Sequence, residues 1–475
     1  MTEVPGSRPK PRVKRAETRW PEVDTVYTIN PDGSRNFMHP ADVSGRWQNR
    51  KHLIFGLLIL VYAALPLISL GGHPAVHIDI PGRRAFLFGL SFTNQDFYLM
   101  FFLVSGMGFA LFVVTSLWGR LWCGFACPQT VFLEGAFRKV ERWLEGPRSV
   151  RLRRNAGAWT LDKVWRKTLK HGVFLLLSAG IAHVFLAYFI PWSELRYVVV
   201  SPPSNHWAAF LWTVSWTGIL YFNYSWFREQ TCLVICPYGR LQSTLIDSDT
   251  LVVGYDRTRG EPRSKVSDDG GDCVDCHRCV VVCPTGIDIR NGLQMECLGC
   301  TNCIDACDEI MDKLERPRGL IRYDSQRSFD GQPRRGLIRP RSVAYAVLGL
   351  IGLAVFTVSA HHREPFEVQL LRARGLPYSM EDGNLRNLYQ VRVENKTTQP
   401  RTYFLEVEPA AALGTLEIVV SQTKIRLDPL EDLAVPVVAR MPRSDYRTAV
   451  PLVFSVADSA SGQRRSANGR FLGPE

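Results

Sequence analysis

The stretch GDCVDCHRCVVVCPTGIDIRNGLQMECLGCTNCIDACDE, Gly271 to Glu309, constrains this chain more than any other. It holds eight of the twelve cysteines in 475 residues. Cys273, Cys276, Cys279 and Cys283 follow a C-x2-C-x2-C-x3-C spacing closed by Pro284. Cys297, Cys300, Cys303 and Cys307 repeat it, with Asp308 in the proline's place. Two triplets, each trailed by a fourth cysteine, do not match a zinc ribbon, which uses separated C-x2-C pairs. A disulfide framework suits small secreted domains, whereas this segment lies in a long, basic chain.

The spacing is that of a bacterial two-cluster ferredoxin. Three thiolates of one run hold a 4Fe–4S cluster, and the fourth cysteine of the other run completes it. Cluster one is therefore assigned to Cys273, Cys276, Cys279 and Cys307, and cluster two to Cys297, Cys300, Cys303 and Cys283. Such a pair moves single electrons. His277 is expected beside cluster one, outside its ligand set.

A formal charge of +12 could suit nucleic acid. No nucleic-acid motif is present, and Arg and Lys gather beside long apolar runs, which points to membrane topology and lipid. Five runs approach the length that crosses a bilayer: about His52 to Leu70, Phe97 to Trp118, Val173 to Ile190, Trp207 to Phe227, and Val343 to Ala360. Arg and Lys crowd the N-terminal arm, the segment from Arg120 to Lys170, and the stretch before the fifth run. The loops at about 71–96 and 191–206 carry only Arg83, Arg84 and Arg196. Five crossings put the N-terminus and the cluster segment in the cytoplasm and the C-terminus outside. Residues 1–50, with RPKPRVKRAETRW, read as a flexible cytoplasmic arm without the h-region of a cleaved signal.

After residue 362, runs such as LYQVRVENK, TLEIVVS and VPLVFSVAD alternate apolar and polar positions, split by Asn395, Pro409, Gly414 and Pro429. They suggest an immunoglobulin-type β-sandwich that binds or docks. The fold class is thus a multi-domain membrane protein with three parts. Four spans over 51–240 form two hairpin repeats, joined by a fifth over 341–362. A cytoplasmic ferredoxin domain covers 241–335, and an all-β periplasmic domain covers 363–475.

The other four cysteines form two C-x3-C-P pairs: Cys123 and Cys127 in WCGFACPQT, Cys232 and Cys236 in TCLVICPYG. The i, i+4 spacing puts both sulfurs of a pair on one helix face, about 6 Å apart. A new helix can start at each proline. After Pro128, Phe132, Ala136, Val140 and Trp143 share a face and are expected to lie along the inner membrane surface. Packing of the two halves would bring four sulfurs together, fit for Cu(I), zinc, an iron–sulfur cluster or dithiol exchange. His183, in mid-span, is read as a packed or hydrogen-bonded histidine. His361 and His362 offer a weaker copper site.

Together, RLWCGFACPQTV, TCLVICPYGRLQS, the paired cysteine runs, a last span and a strand-rich tail resemble the FixG/CcoG/RdxA family of cytochrome c oxidase accessory proteins. The resemblance runs from about residue 30 to the end. It implies an inner-membrane iron–sulfur protein that reduces Cu(II) to Cu(I) for assembly of a cbb-type oxidase. Its partners would be copper ions, the oxidase subunits or their copper-delivery proteins, and a cytosolic electron donor; a homodimer is left open. The resemblance assigns Cys123, Cys127, Cys232 and Cys236 as copper-binding or redox residues. Where a Gly-Leu-like pair is expected in the first cysteine run, this chain has His277-Arg278. Two other functions compete: an electron conduit between quinone and the clusters, and a non-redox assembly scaffold.

Overall fold

The computed structural model describes residues 36–93, 96–264, 270–333, 336, 338–362, 364–372, 376–397, 399–409 and 415–474. The RPKPRVKRAETRW stretch and the expected turn at Gly414 lie outside them. By its contacts the chain forms two compact units. One comprises Met1–Leu65, Gly106–Tyr188 and Trp192–Leu350; the other comprises Pro66–Ser105, Phe189–Pro191 and Ile351–Glu475.

A long helix stands at each of the five apolar runs: α1 (Arg46–Ala64), α2 (Phe97–Trp118), α3 (Leu161–Leu186), α4 (Trp207–Phe222) and α5 (Pro340–His361). Three are long and apolar enough to cross a membrane, over Tyr98–Trp118, Leu161–Leu186 and Pro340–His361. The other two fall short for visible reasons. α1 opens on Arg46, Arg50 and Lys51, and α4 has 16 residues before it passes into a π-helical turn at Asn223–Phe227. α3 begins well before Val173, because Thr160 caps it by accepting a hydrogen bond from the Lys163 amide at 3.3 Å.

The first unit carries the cysteines. Strands Leu251–Tyr255 and Ile321–Ser325 pair antiparallel, with Val253 opposite Tyr323, and bracket the ferredoxin segment. Ile289, Ile304, Met311, Leu320 and Ile321 form the apolar core around it. The expected arm is ordered over its described end. The Ala41 amide donates to Val281 O at 2.9 Å, the Arg278 guanidinium donates to Asp42 O at 2.9 Å, and residues 46–50 are already helix.

The segment after Pro128 also departs from expectation. It does not present a single apolar face to a surface. Leu133 and Phe137 are buried along with Phe132, while Trp143 is 78% exposed. Phe137 stacks on Tyr224 and meets Phe174 edge-on, and an added carbon at Gly135 would touch Phe55 and Ile59. The helix is an inner element of the bundle because its polar side is neutralised by buried ion pairs.

The second unit is dominated by a β-sandwich. One sheet runs Glu417–Val420, Asp432–Pro442, Asn384–Asn395, Phe366–Arg372, with Ser379–Glu381 also on Asn384–Asn395. The other runs Lys424–Leu427, Arg401–Pro409, Val450–Asp458, Arg464–Phe471, and every pairing is antiparallel. Alternate residues such as Tyr389, Val391, Val393, Val437, Phe454 and Val456 fill the space between the sheets. The loop expected at 71–96 holds a small three-stranded sheet, Val76–Asp79, Arg84–Leu87 and Leu90–Phe92. It is tied to the sandwich by Arg84 and Asp432 at 3.6 Å.

Candidate functional site

Two cavities, each of about 360 Å³, open among the ferredoxin cysteines. Cys273, Cys276, Cys279 and Cys307 line one. Cys283, Cys297, Cys300 and Cys303 line the other, which Cys279 also touches. The fourth cysteine of each run thus sits with the first three of the opposite run. Among the described residues, no three His, Cys, Asp or Glu side chains converge closely enough for one metal ion. The sulfurs surround a space instead, and an all-thiolate donor set around a space fits a polynuclear cluster better than a lone zinc ion.

The backbone repeats with the cysteines. Asp275 and His277 have φ of 50° and 53°; Gly299 and Thr301, at the same offsets in the second run, have 64° and 62°. Non-glycine residues take these angles rarely. Here they curl each loop so that the next turn, Arg278–Val281 or Asn302–Lys313, starts beside the cavity. Asp308, standing where the first run has proline, accepts from the Gly319 amide at 3.0 Å and so fastens the returning strand. Burial pushes the Cys279 and Cys283 thiols up to about 12, so loading either cavity must displace protons.

The start of α1 is built onto the second run. Trp47 and Gln48 amides donate to Asp305 at 3.2 and 2.8 Å. Lys51, 2% exposed, donates from Nζ to Cys300 O at 3.1 Å and to Asn302 Oδ1 at 2.5 Å. These first turns serve the cluster loop, which is why α1 opens on charged residues ahead of its apolar part.

The C-x3-C-P cysteines occupy equivalent positions in the two halves. Cys123 lies in the short helix Leu121–Phe125 and Cys232 in the π-helical turn Thr231–Ile235. The expected single helical face is not formed. Cys127 and Cys236 are instead extended caps, with φ and ψ of −63° and 127°, and −67° and 111°. Each donates its amide five residues back, to Trp122 O or Thr231 O, both at 2.8 Å. The following proline leaves no donor to continue the helix and starts the next one. All four sulfurs fall in one neighbourhood, where Cys232 interacts with Cys123, Cys127 and Cys236. Gln242, fully buried, donates from Nε2 to Cys123 Sγ at 3.0 Å. Burial pushes the Cys123 thiol up to about 11, against the lowering effect of Gln242, and raises Cys127 as well.

The two cysteine sets meet. A carbon added at Gly124 would lie 2.5 Å from Gly299 O, so the Leu121–Phe125 helix rests directly on the Cys297–Cys300 loop. Arg120 bridges them, donating from Nη1 to Cys297 O at 3.0 Å and from Nη2 to Gly239 O at 3.2 Å. Aromatic rings flank the junction: Trp47 lies 6.2 Å from Phe125 and 6.0 Å from Tyr323. The loop carrying Cys297 and Cys300 is therefore the one that lies against the helix bearing Cys123.

A buried ionic network holds the quartet's surroundings. Arg228, 2% exposed and with φ of 51°, donates to both Glu141 oxygens at 3.0 and 3.2 Å. Arg151 reaches Glu141 at 3.1 Å, Lys170 reaches Glu145 at 2.8 Å, and Arg138 pairs with Glu134 and Glu229. Burial works to raise the Glu141 carboxyl, but Arg228, Lys170 and Arg151 outweigh it and hold the group far below the usual carboxylate range. The network ties the helix after Cys127 to the turn before Cys232. An apolar cavity of about 900 Å³ lies alongside, walled by Tyr62, Phe132, Phe185, Trp216 and Tyr224, with Ala126 and Pro128 at its edge.

Of the histidines singled out in the sequence, only His277 borders one of these sites. His183 Nδ1 lies 2.7 Å from Ala179 O, a hydrogen-bonded histidine as expected. His277 lines the first cavity, with Nδ1 2.8 Å from Arg290. His361 and His362 are exposed, with rings 5.6 Å apart. Sequence reasoning missed Lys51, Arg120, Gln242 and Tyr323. Lys51 and Arg120 look like ordinary interfacial charges at the ends of apolar runs. The one available signal was Arg120 only three residues before Cys123.

A model described as a 4Fe-4S dicluster domain matches residues 227–326, and one described as a 4Fe-4S binding domain matches 99–147. A third, the IG-like fold at the C-terminal of FixG, matches 356–474. The chain is 38% identical over 395 residues to Protein RdxA of Cereibacter sphaeroides, covering 80% of this chain and 84% of that one. It is 35% identical over 430 residues to the nitrogen fixation protein FixG of Rhizobium meliloti, covering 80% and 81%. With paired cluster cavities, apolar helices and an immunoglobulin-like C-terminal domain, the chain belongs to the FixG/RdxA family of iron–sulfur proteins.

Proposed function

We propose that this protein is an inner-membrane cupric reductase, which delivers electrons at the C-x3-C-P quartet and reduces Cu(II) to Cu(I) for assembly of a cbb-type oxidase. Each Cu(II) takes one electron from a cytosolic donor. The observation that carries the reading is the junction, where the Cys297–Cys300 loop lies on the helix bearing Cys123. Cys273, Cys276, Cys279 and Cys307 would hold cluster one; Cys297, Cys300, Cys303 and Cys283 would hold cluster two. When bound, the clusters supply one-electron carriers. Cys276 is exposed and gives a soluble donor its approach to cluster one. Arg120, Gly124 and Gly299 keep the second loop against the quartet. Thiolates favour the Cu(I) product, and the quartet would have to draw together around an ion, since it is not closed enough to hold one as it stands. The five-span topology, with the clusters inside and the sandwich outside, rests on the charge distribution. Contact of the 71–96 loop with the sandwich supports it.

The test mixes reduced protein with Cu(II) and a Cu(I) chelator. Reoxidation of the clusters with matching Cu(I) is expected; absence of both defeats the proposal. One observation favours a second reading, electron exchange with a quinone. The ring-lined cavity of about 900 Å³ reaches Ala126 and Pro128, on either side of Cys127. Cluster reoxidation by a quinone in place of copper, abolished by a bulky residue at Ala126, would select it.

A further inference from the structure

We infer that Lys51 and Arg120 are potential-setting residues: their buried charges raise cluster two above cluster one and direct electrons toward Cys123. The inference rests on the two cavities being cluster sites, and is independent of copper as acceptor. Lys51 and Arg120 are 2% and 8% exposed. Both point their charge at carbonyls of cluster-two cysteines, Cys300 O at 3.1 Å and Cys297 O at 3.0 Å. Among the described residues neither has a carboxylate within ion-pair distance. Their other acceptors are neutral, Asn302 Oδ1 and Gly239 O. Of the nearby carboxylates, Glu134 pairs with Arg138, and Glu296, beside Cys297, is partly in water. Asp305 accepts from the α1 amides and keeps its charge, but it stands between Cys303 of cluster two and Cys307 of cluster one and acts on both.

The first cavity is arranged differently. Its buried cation, Arg290, is matched by Asp288 at 2.6 Å and Asp275 at 2.5 Å. Arg278 meets Glu309 at 3.8 Å. Asp308, beside Cys307 and only 6% exposed, adds a negative charge that among the described residues is met by the exposed Arg46 alone, at 3.9 Å. Reduction adds a negative charge to a cluster. Uncompensated buried cations favour that state, and neutralised ones do not. Exposure of Cys276 raises cluster one somewhat. The direction follows because two desolvated cations outweigh one wetted ligand.

The test is a potentiometric titration of the full-length protein followed by EPR, with the two signals assigned through Cys276→Ser and Cys300→Ser. In wild type, the signal lost in Cys300→Ser should have the higher midpoint. Lys51→Met should shift the reduced-to-oxidised ratio of cluster two at least tenfold toward oxidised, about 59 mV for one electron. Arg120→Met should act in the same direction, Lys51→Arg should restore most of the shift, and cluster one should stay put. An unmoved cluster-two midpoint in a loaded variant overturns the inference, as does a common shift of both clusters, which would mark a purely structural role. If neither neutral variant loads, the wild-type order decides, and a lower midpoint for cluster two overturns it. A copper assay that fails while these shifts appear would overturn the acceptor and leave the inference standing.

Discussion

Glu141→Gln probes how the quartet is held. The substitution keeps the shape and one acceptor oxygen but removes the charge that Arg228 and Arg151 share. Those arginines are 2% and 4% exposed, and no other carboxylate lies within ion-pair distance of either among the described residues. Breaking a buried pair by removing one partner costs about 3–5 kcal/mol, because the remaining charge stays desolvated. The retained amide oxygen places this variant near the low end, about 3 kcal/mol, which is about a hundredfold in local opening. Arg228 sits at a strained φ of 51° only four residues before Cys232, and the Glu141 pair fixes its side chain there. Loosening should therefore appear at the cysteines. Maleimide labelling of Cys232 and Cys236 in the detergent-solubilised full chain should accelerate by roughly that factor, with a lower thermal midpoint. The Glu141 carboxyl is depressed in the folded state, so its stabilisation is present above the ordinary carboxylate pKa and lost only as pH falls through the folded value. The difference between variant and wild type should accordingly be flat from about pH 5 to 8. Labelling within twofold of wild type and an unchanged midpoint would refute the reasoning.

Other outcomes follow from single contacts. Gly124→Val drives carbon into Gly299 O and should cost about 1–3 kcal/mol of overpacking. Iron content should persist while reoxidation by the acceptor slows; unaltered stopped-flow kinetics would remove this contact from the electron route. In the sandwich, Asn395 accepts from Tyr403 Oη at 3.1 Å and donates to Gln399 O at 2.8 Å. Asn395→Ala should lower that domain's unfolding midpoint by stranding buried groups worth about 1–3 kcal/mol each, with cluster content unchanged as the check. Burial raises Cys123 to about 11 and raises Cys127, so these thiols are protonated at neutral pH. Cu(I) affinity, measured by chelator competition, should therefore climb between about pH 6 and 8 as protons are displaced more easily; a flat profile would show the thiols are not ligands.

The ferredoxin segment was legible because cluster ligation is a local code: fixed cysteine offsets force the crossed grouping that the cavities show. The β-sandwich was legible for a similar reason, since period-two alternation from Asn384 to Asn395 and from Val450 to Asp458 has one natural solution. The helices were less so. Apolar run length located all five, but it carries no sign that Lys51 at the start of α1 serves a loop some 250 residues away in the chain. It also truncated α3, whose start depends on a Thr160 cap rather than on hydropathy. The packing of the helix after Pro128 was not legible, because amphipathic spacing does not show that Glu141 and Glu145 on its polar side meet buried partners. The contact between Gly124 and Gly299 left no trace, because a glycine–glycine approach carries no pattern.

The central claim is that electrons leave at the cysteine quartet. The direct measurement is anaerobic stopped-flow mixing of the reduced full-length protein with Cu(II), following cluster absorbance and chelated Cu(I), in wild type and in Cys123→Ser with Cys232→Ser. Wild type should reoxidise with one Cu(I) formed per electron lost, and the double variant should keep its iron and stay reduced. Reoxidation at wild-type rate in the double variant, with full iron content, would contradict it.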